Sequence, residues 1–86
     1  MRIDWNMTAE LGDHHTIGRL TDGRWFWTWN MGSALSPEKL LTMGSEDGED
    51  GGLVFGSYAE LLNYIEGGEQ YDLVAMTKEQ FGERNK

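Results

Sequence analysis

No cysteine occurs in the 86 residues, which excludes disulfides, thiolate metal sites and a cysteine nucleophile and accords with a reducing cytoplasm. No run of eighteen apolar residues is present, and Met1-Arg2-Ile3-Asp4-Trp5 lacks the apolar core of a secretory signal. The expectation is a protein that keeps off membranes and stays in its compartment of synthesis, the cytoplasm. Basic residues are scarce in one stretch above all. Between Glu38 and Asp72, Lys39 stands alone against nine carboxylates, so this segment has a formal charge of −8, equal to that of the whole chain. Such a field repels phosphate backbones and anionic lipid, arguing against direct nucleic-acid binding, and it attracts basic protein surfaces.

What is present is enough for one modest core. Four Trp, three Tyr, three Phe and five Met supply large apolar side chains, so the chain reads as one α+β domain over residues 1–86. Arg2 to Thr8 alternates, with Ile3, Trp5 and Met7 on one side, which predicts a half-buried strand. Asp22-Gly23 between two runs of β-branched and aromatic residues predicts a hairpin with a two-residue turn. That register pairs Leu20 with Trp25, Gly18 with Trp27 and Thr16 with Trp29, which gives Gly18 the task of making room for an indole. Trp25, Trp27 and Trp29 then share one face, and Phe26 with Ile17 lies on a partly wet reverse face.

After the hairpin, Ser36-Pro37-Glu38 has the cap, proline and acid of a helix start, predicting a helix through Met43. Residues 44–52 contain no apolar side chain and read as an acidic, mobile, exposed loop. Leu53-Val54-Phe55 predicts a short strand, and Ser57 with Glu60 caps a helix whose buried stripe is Tyr58, Leu61, Leu62 and Ile65. Tyr71 to Met76 reads as an inner strand, Thr77 with Gln80 as the start of a last helix, and residues 82–86 as a frayed end. The expected architecture is an antiparallel sheet, a three-stranded meander plus two further strands, with two to three short helices packed on one face.

The chemical motifs are incomplete. His14-His15 beside Glu10 and Asp13 offers zinc ligands, but adjacent strand residues point to opposite faces. Glu46, Asp47, Glu49 and Asp50 offer oxygens to calcium, yet their spacing does not match an EF-hand loop. The glycines at 48, 51 and 52 lack a following Lys-Ser or Lys-Thr and carry four carboxylates, which opposes phosphate binding. No serine lies in a nucleophile-elbow motif. The reading is of a protein without catalytic residues, cofactor or resident metal. The tryptophan row suits either a stacking platform or the main core face, and the core reading is favoured because a domain of this size needs that buried area.

Two function classes follow. The first is an acidic module that docks on a basic, normally nucleic-acid-binding surface of a partner protein and inhibits it. Its contact residues would be Glu46, Asp47, Glu49, Asp50, Glu66, Glu69 and Asp72, with Trp5 and Phe26 as exposed apolar anchors. In size, charge and lack of cysteine and catalytic motifs, the chain resembles the small acidic inhibitors that phages direct against host defence, anti-CRISPR proteins and DNA mimics among them. That resemblance is one of composition, and it implies a site of action in the host cytoplasm. The second class is a small-ligand or metal-ion domain, with calcium at the acidic loop or a sugar on exposed tryptophans. A homodimer through the edge of the first strand is open as well, since no proline or lysine blunts that edge.

Overall fold

Strand-forming residues dominate up to Asn30 and helix-forming ones beyond it, and the computed structural model follows that division but for one strand. It describes residues 2–31, 34–45 and 49–82. The order is β1 (Ile3–Leu11), β2 (His15–Leu20), β3 (Trp25–Asn30), α1 (Pro37–Met43), β4 (Asp50–Phe55), α2 (Tyr58–Gly67) and α3 (Tyr71–Phe81). The strands form one antiparallel sheet in the order β1-β2-β3-β4. With three helices around it, this is the α+β domain that the sequence implies.

The β2–β3 hairpin is present, but its loop is one residue longer than Asp22-Gly23 suggests. Gly23 N–H donates to the Leu20 carbonyl and Leu20 N–H to that of Arg24, while Gly23 adopts φ of 98°. A turn over Thr21 and Asp22 closed by a left-handed glycine is the three-residue hairpin loop. The register therefore slips by one, pairing Arg19 with Trp25, Ile17 with Trp27 and His15 with Trp29. A one-residue slip exchanges the faces of a strand. Ile17 joins the tryptophans, and Leu20 goes with Phe26 to the reverse face.

That reverse face is dry, contrary to the expectation. Phe26 is 0% exposed and packs with Ile3 and Leu20, flanked by Leu41 of α1 and by Val54. So α1 covers one face of the sheet, while α2 and α3 cover the other. Trp25 and Trp27 meet Leu61, Leu62 and Ile65 of α2 and Leu73, Val74 and Phe81 of α3 in the larger core. Helices thus occupy both faces, not one.

The sheet has one strand beyond the meander, since Tyr71–Phe81 is helical throughout. A short apolar run is ambiguous between strand and helix, and the longer window decides, because Leu73, Val74, Thr77 and Phe81 form a buried stripe at helical spacing. Thr77 is no cap. It is fully buried inside the helix, where its hydroxyl donates to the Leu73 carbonyl at 2.7 Å. The predicted caps of α1 and α2 are in place: Ser36 accepts from Lys39 N–H at 3.3 Å and Ser57 from Glu60 N–H at 3.2 Å. β4 starts at Asp50, so the end of the expected loop at residues 44–52 is strand; Glu46, Asp47 and Gly48 lie outside the described residues, as do residues 83–86.

β1 extends to Leu11 but is broken by a bulge. Asp4 pairs with Arg19 and Thr8 with Gly18, leaving Trp5, Asn6 and Met7 without ladder partners. Three extra residues reverse the alternation, so Ile3 packs with Phe26 whereas Met7, Ala9 and Leu11 pack on the tryptophan side. The bulge is tied down by Thr8 Oγ1 donating to the Asp4 carbonyl at 2.9 Å and by an Arg19–Asp4 ion pair at 3.2 Å. It also explains Gly18. A Cβ there would lie 2.2 Å from Thr8 Oγ1 and 2.7 Å from the Met7 carbonyl oxygen, so the room is needed by the bulge and not by an indole.

Candidate functional site

The tryptophan row is core at one end and open at the other. Trp25 is buried against Tyr58 and Phe81, with ring centroids 4.7 and 5.2 Å away. Trp27 is buried next, and Trp29 is only partly covered. Two features leave Trp29 open. Its ladder partner on β4 is Gly51, which has no side chain to lay over it, and α2 stops at Gly67. Gly51 is itself required, since a Cβ there would fall 2.1 Å from the Gly44 carbonyl oxygen.

The result is a cavity of about 380 Å³ at the end of the sheet, lined by the apolar and aromatic Trp27, Trp29, Met31, Leu53 and Tyr64 and by the polar His15, Ser45 and Gln70. This is within the size of small-ligand pockets, which run from roughly 300 to 1,000 Å³. The rings contact one another: Trp27 lies 4.6 Å from Trp29 and 6.3 Å from Tyr64, and Tyr64 lies 5.4 Å from Phe55. Tyr64 keeps 54% of its surface exposed. Trp27 Nε1–H donates to His15 Nδ1 at 3.1 Å, which puts a neutral imidazole's proton on Nε2. Burial, with the neighbouring His14 charge as the smaller cause, lowers the His15 pKa and favours that neutral form.

Several of the predicted contact acids flank this cavity along the chain. Asp50 Oδ1 accepts the backbone N–H of Met31, a wall residue, at 3.1 Å, and exposed Glu49 precedes it. On the other side, Glu66, Glu69 and Asp72 are exposed around the α2–α3 junction that supplies Gln70. Ser45 connects to Glu46 and Asp47, whose own positions are outside the described residues. Both α1 and α2 end beside the cavity, at Gly44-Ser45 and Gly67-Gly68, and neither has a basic residue in its last turn.

The two apolar anchors part company. Trp5 is 56% exposed at the β1 bulge and available to a partner. Phe26 is sealed under α1 and is no contact residue, and Ile17 is equally buried. Sequence reasoning missed Tyr64, Met31 and Gln70. Tyr64 had a signal, since it lies off the Tyr58-Leu61-Leu62-Ile65 stripe yet is large and aromatic. Among the described residues, no group of three or more His, Asp or Glu is placed to hold a metal ion, and His15 Nδ1 is engaged by Trp27. Among the same residues, no helix is long and apolar enough to cross a membrane. Comparison with protein-family models, curated proteins and solved structures finds no match, so the chain's own residues carry the functional argument.

Proposed function

We propose that this protein is a non-enzymatic acidic binding module that docks on a basic surface of a partner protein, one that otherwise holds nucleic acid, and blocks it. The observation that carries the reading is the aromatic cavity flanked by acid-bearing segments: residues 38–72, with nine carboxylates and one lysine, contribute Ser45, Leu53, Tyr64 and Gln70 to its lining. Concentrated charge speeds and orients an encounter, and an aromatic hollow supplies the buried contact that holds it. Trp5, exposed on β1 and not among the residues lining the cavity, is a separate candidate contact.

The test is capture from the native host's lysate at low salt, with elution by rising salt and with duplex DNA as competitor. The comparison variant reverses Glu49, Glu66, Glu69 and Asp72 to lysine and spares Asp50, whose carboxylate holds Met31 N–H. The expected result is one basic nucleic-acid-binding protein, displaced by DNA and lost in the variant. Equal capture and equal salt dependence in both proteins would discard the reading. The cavity also favours a second reading, a small ligand such as a sugar stacked on Trp29, which a glycan panel read by tryptophan fluorescence checks.

A further inference from the structure

The walls of the Trp29 cavity specify the charge of what enters it. Three aromatic side chains line it and contact one another: Trp27 and Trp29 at 4.6 Å, and Tyr64 at 6.3 Å from Trp27. An aromatic face is the negative part of its quadrupole and attracts a cation placed over it. An indole N–H aimed inward would oppose a cation, but that of Trp27 is absorbed by His15 Nδ1. The imidazole adds no fixed positive charge, because burial holds it toward its neutral form.

The charges on the chain segments that build the cavity are carboxylates, with His14 next to His15 the titratable exception. The Asp50 carboxylate bonds the backbone of Met31 in the wall. The C-terminal ends of α1 and α2, where partial negative charge collects, lie beside the cavity with no basic residue in either last turn. Glu49 precedes Asp50, and Glu69 precedes Gln70. Of the described basic side chains, Arg19 and Arg24 are engaged elsewhere, by Asp4 and Asp22, and Arg2, Lys39 and Lys78 are not among the residues lining the cavity. An anionic ligand is disfavoured on these grounds, and a neutral one leaves the charge unused.

We infer that the Trp27-Trp29-Tyr64 cavity receives the cationic end of a lysine or arginine side chain from the partner's basic surface. This rests on the docking reading above and names its anchor. The guanidinium of arginine suits the site best, since it is less strongly hydrated than an ammonium and stacks on aromatic faces while its stem lies along Met31 and Leu53.

The test titrates the protein with acetyl-arginine amide and acetyl-lysine amide, and with acetyl-citrulline amide as the neutral match, following the Trp27 and Trp29 indole N–H resonances. The cationic probes are expected to shift Trp29, with citrulline giving little response. Tyr64→Ala should weaken the response roughly two- to fivefold, as loss of one exposed cation–π wall implies. Tyr64→Phe, which keeps the ring, should leave it unchanged. Citrulline binding as well as arginine, or no probe moving Trp29, overturns the inference. The acid-reversed variant in the capture experiment reports separately: acid-dependent capture with a silent cavity removes the anchor alone, whereas a responsive cavity with acid-independent capture removes the docking reading.

Discussion

Replacing Gly18 by alanine probes the β1 bulge directly. The added Cβ would lie 2.2 Å from Thr8 Oγ1, 2.7 Å from the Met7 carbonyl oxygen and 2.8 Å from Thr8 Cα. Two of these three are backbone, which no rotamer change relieves. Forcing a methyl into such a space costs about 1–3 kcal/mol, and the backbone contacts place this case toward the upper end. Gly18 does not have a positive φ, so alanine is conformationally acceptable and gains about 0.4–1 kcal/mol from the less flexible unfolded chain. The net expectation is about 2 kcal/mol of destabilisation, which lowers Tm by roughly 8–16 °C for a domain of this size. Urea titration followed by tryptophan fluorescence, with an unchanged slope, measures it. Adding Thr8→Ala removes the hydroxyl clash but also the Thr8–Asp4 hydrogen bond, so it should recover little of the loss. Gly67→Ala is the control, since no atom lies within 4 Å of its Cβ at the end of α2, and it should stabilise by about 0.5–1 kcal/mol. Gly18→Ala as stable as the parent, or complete rescue by Thr8→Ala, would refute a fixed bulge.

Stability should fall with acid partly through His15. Its folded pKa lies below the ordinary value of 6.5, so the stabilisation is present above that pH and is lost as pH drops from there through the folded value. Thermal scans of His15→Asn, which keeps an acceptor for Trp27, should show a shallower decline over that interval; equal declines would count against it. Tyr58 donates its hydroxyl proton to the Gly82 carbonyl, with Thr77 O also 3.4 Å away, which ties α2 to the end of α3. Tyr58→Phe should cost about 0.5–1.5 kcal/mol in chemical denaturation, and no change would remove that tie from the account. Phe26→Ala, emptying a fully buried site, should cost about 3–5 kcal/mol and unfold much of the population. Trp5→Ala should leave the unfolding free energy within about 0.5 kcal/mol of the parent while weakening partner capture, and lost stability with unchanged capture would make Trp5 a structural residue instead.

The helix caps at Ser36 and Ser57, the α2 stripe and the hairpin itself are local features, and local chemistry predicts them. The errors arise where a local signal has two solutions. Asp-Gly fits a two-residue turn, but it also ends a three-residue loop, and that single residue sends Ile17 to one face and Leu20 to the other. Tyr71 to Met76 has apolar residues on both sides in a strand reading, and only Thr77 and Phe81 further along reveal the helical stripe. The β1 bulge has no signature in the run Asp4-Trp5-Asn6-Met7-Thr8, because what fixes it is Arg19 and Gly18 on another strand. The acid concentration was legible from composition. The cavity was not, because it forms where α2 ends over a glycine of β4, a coincidence of two distant segments.

The placement of α1 between two hydrogen-bonded strands sets an order of events. β1, β2 and β3 follow one another through short turns, so their pairing closes small loops at little entropic cost. β4 joins β3 only after the chain has gone out through α1 and returned, and the ladder from Asn30–Asp50 to Trp25–Phe55 waits on that longer closure. The meander is therefore the expected nucleus, and α1 with β4 the expected late unit. The same unit is the one expected to detach first in native-state hydrogen exchange, with amides of β4 exchanging ahead of those of β2. The cavity is built across this seam, from β3 on one side and β4 on the other. An occupant bridging Trp29 and Leu53 would hold the seam shut, so binding and slower exchange in β4 should rise together.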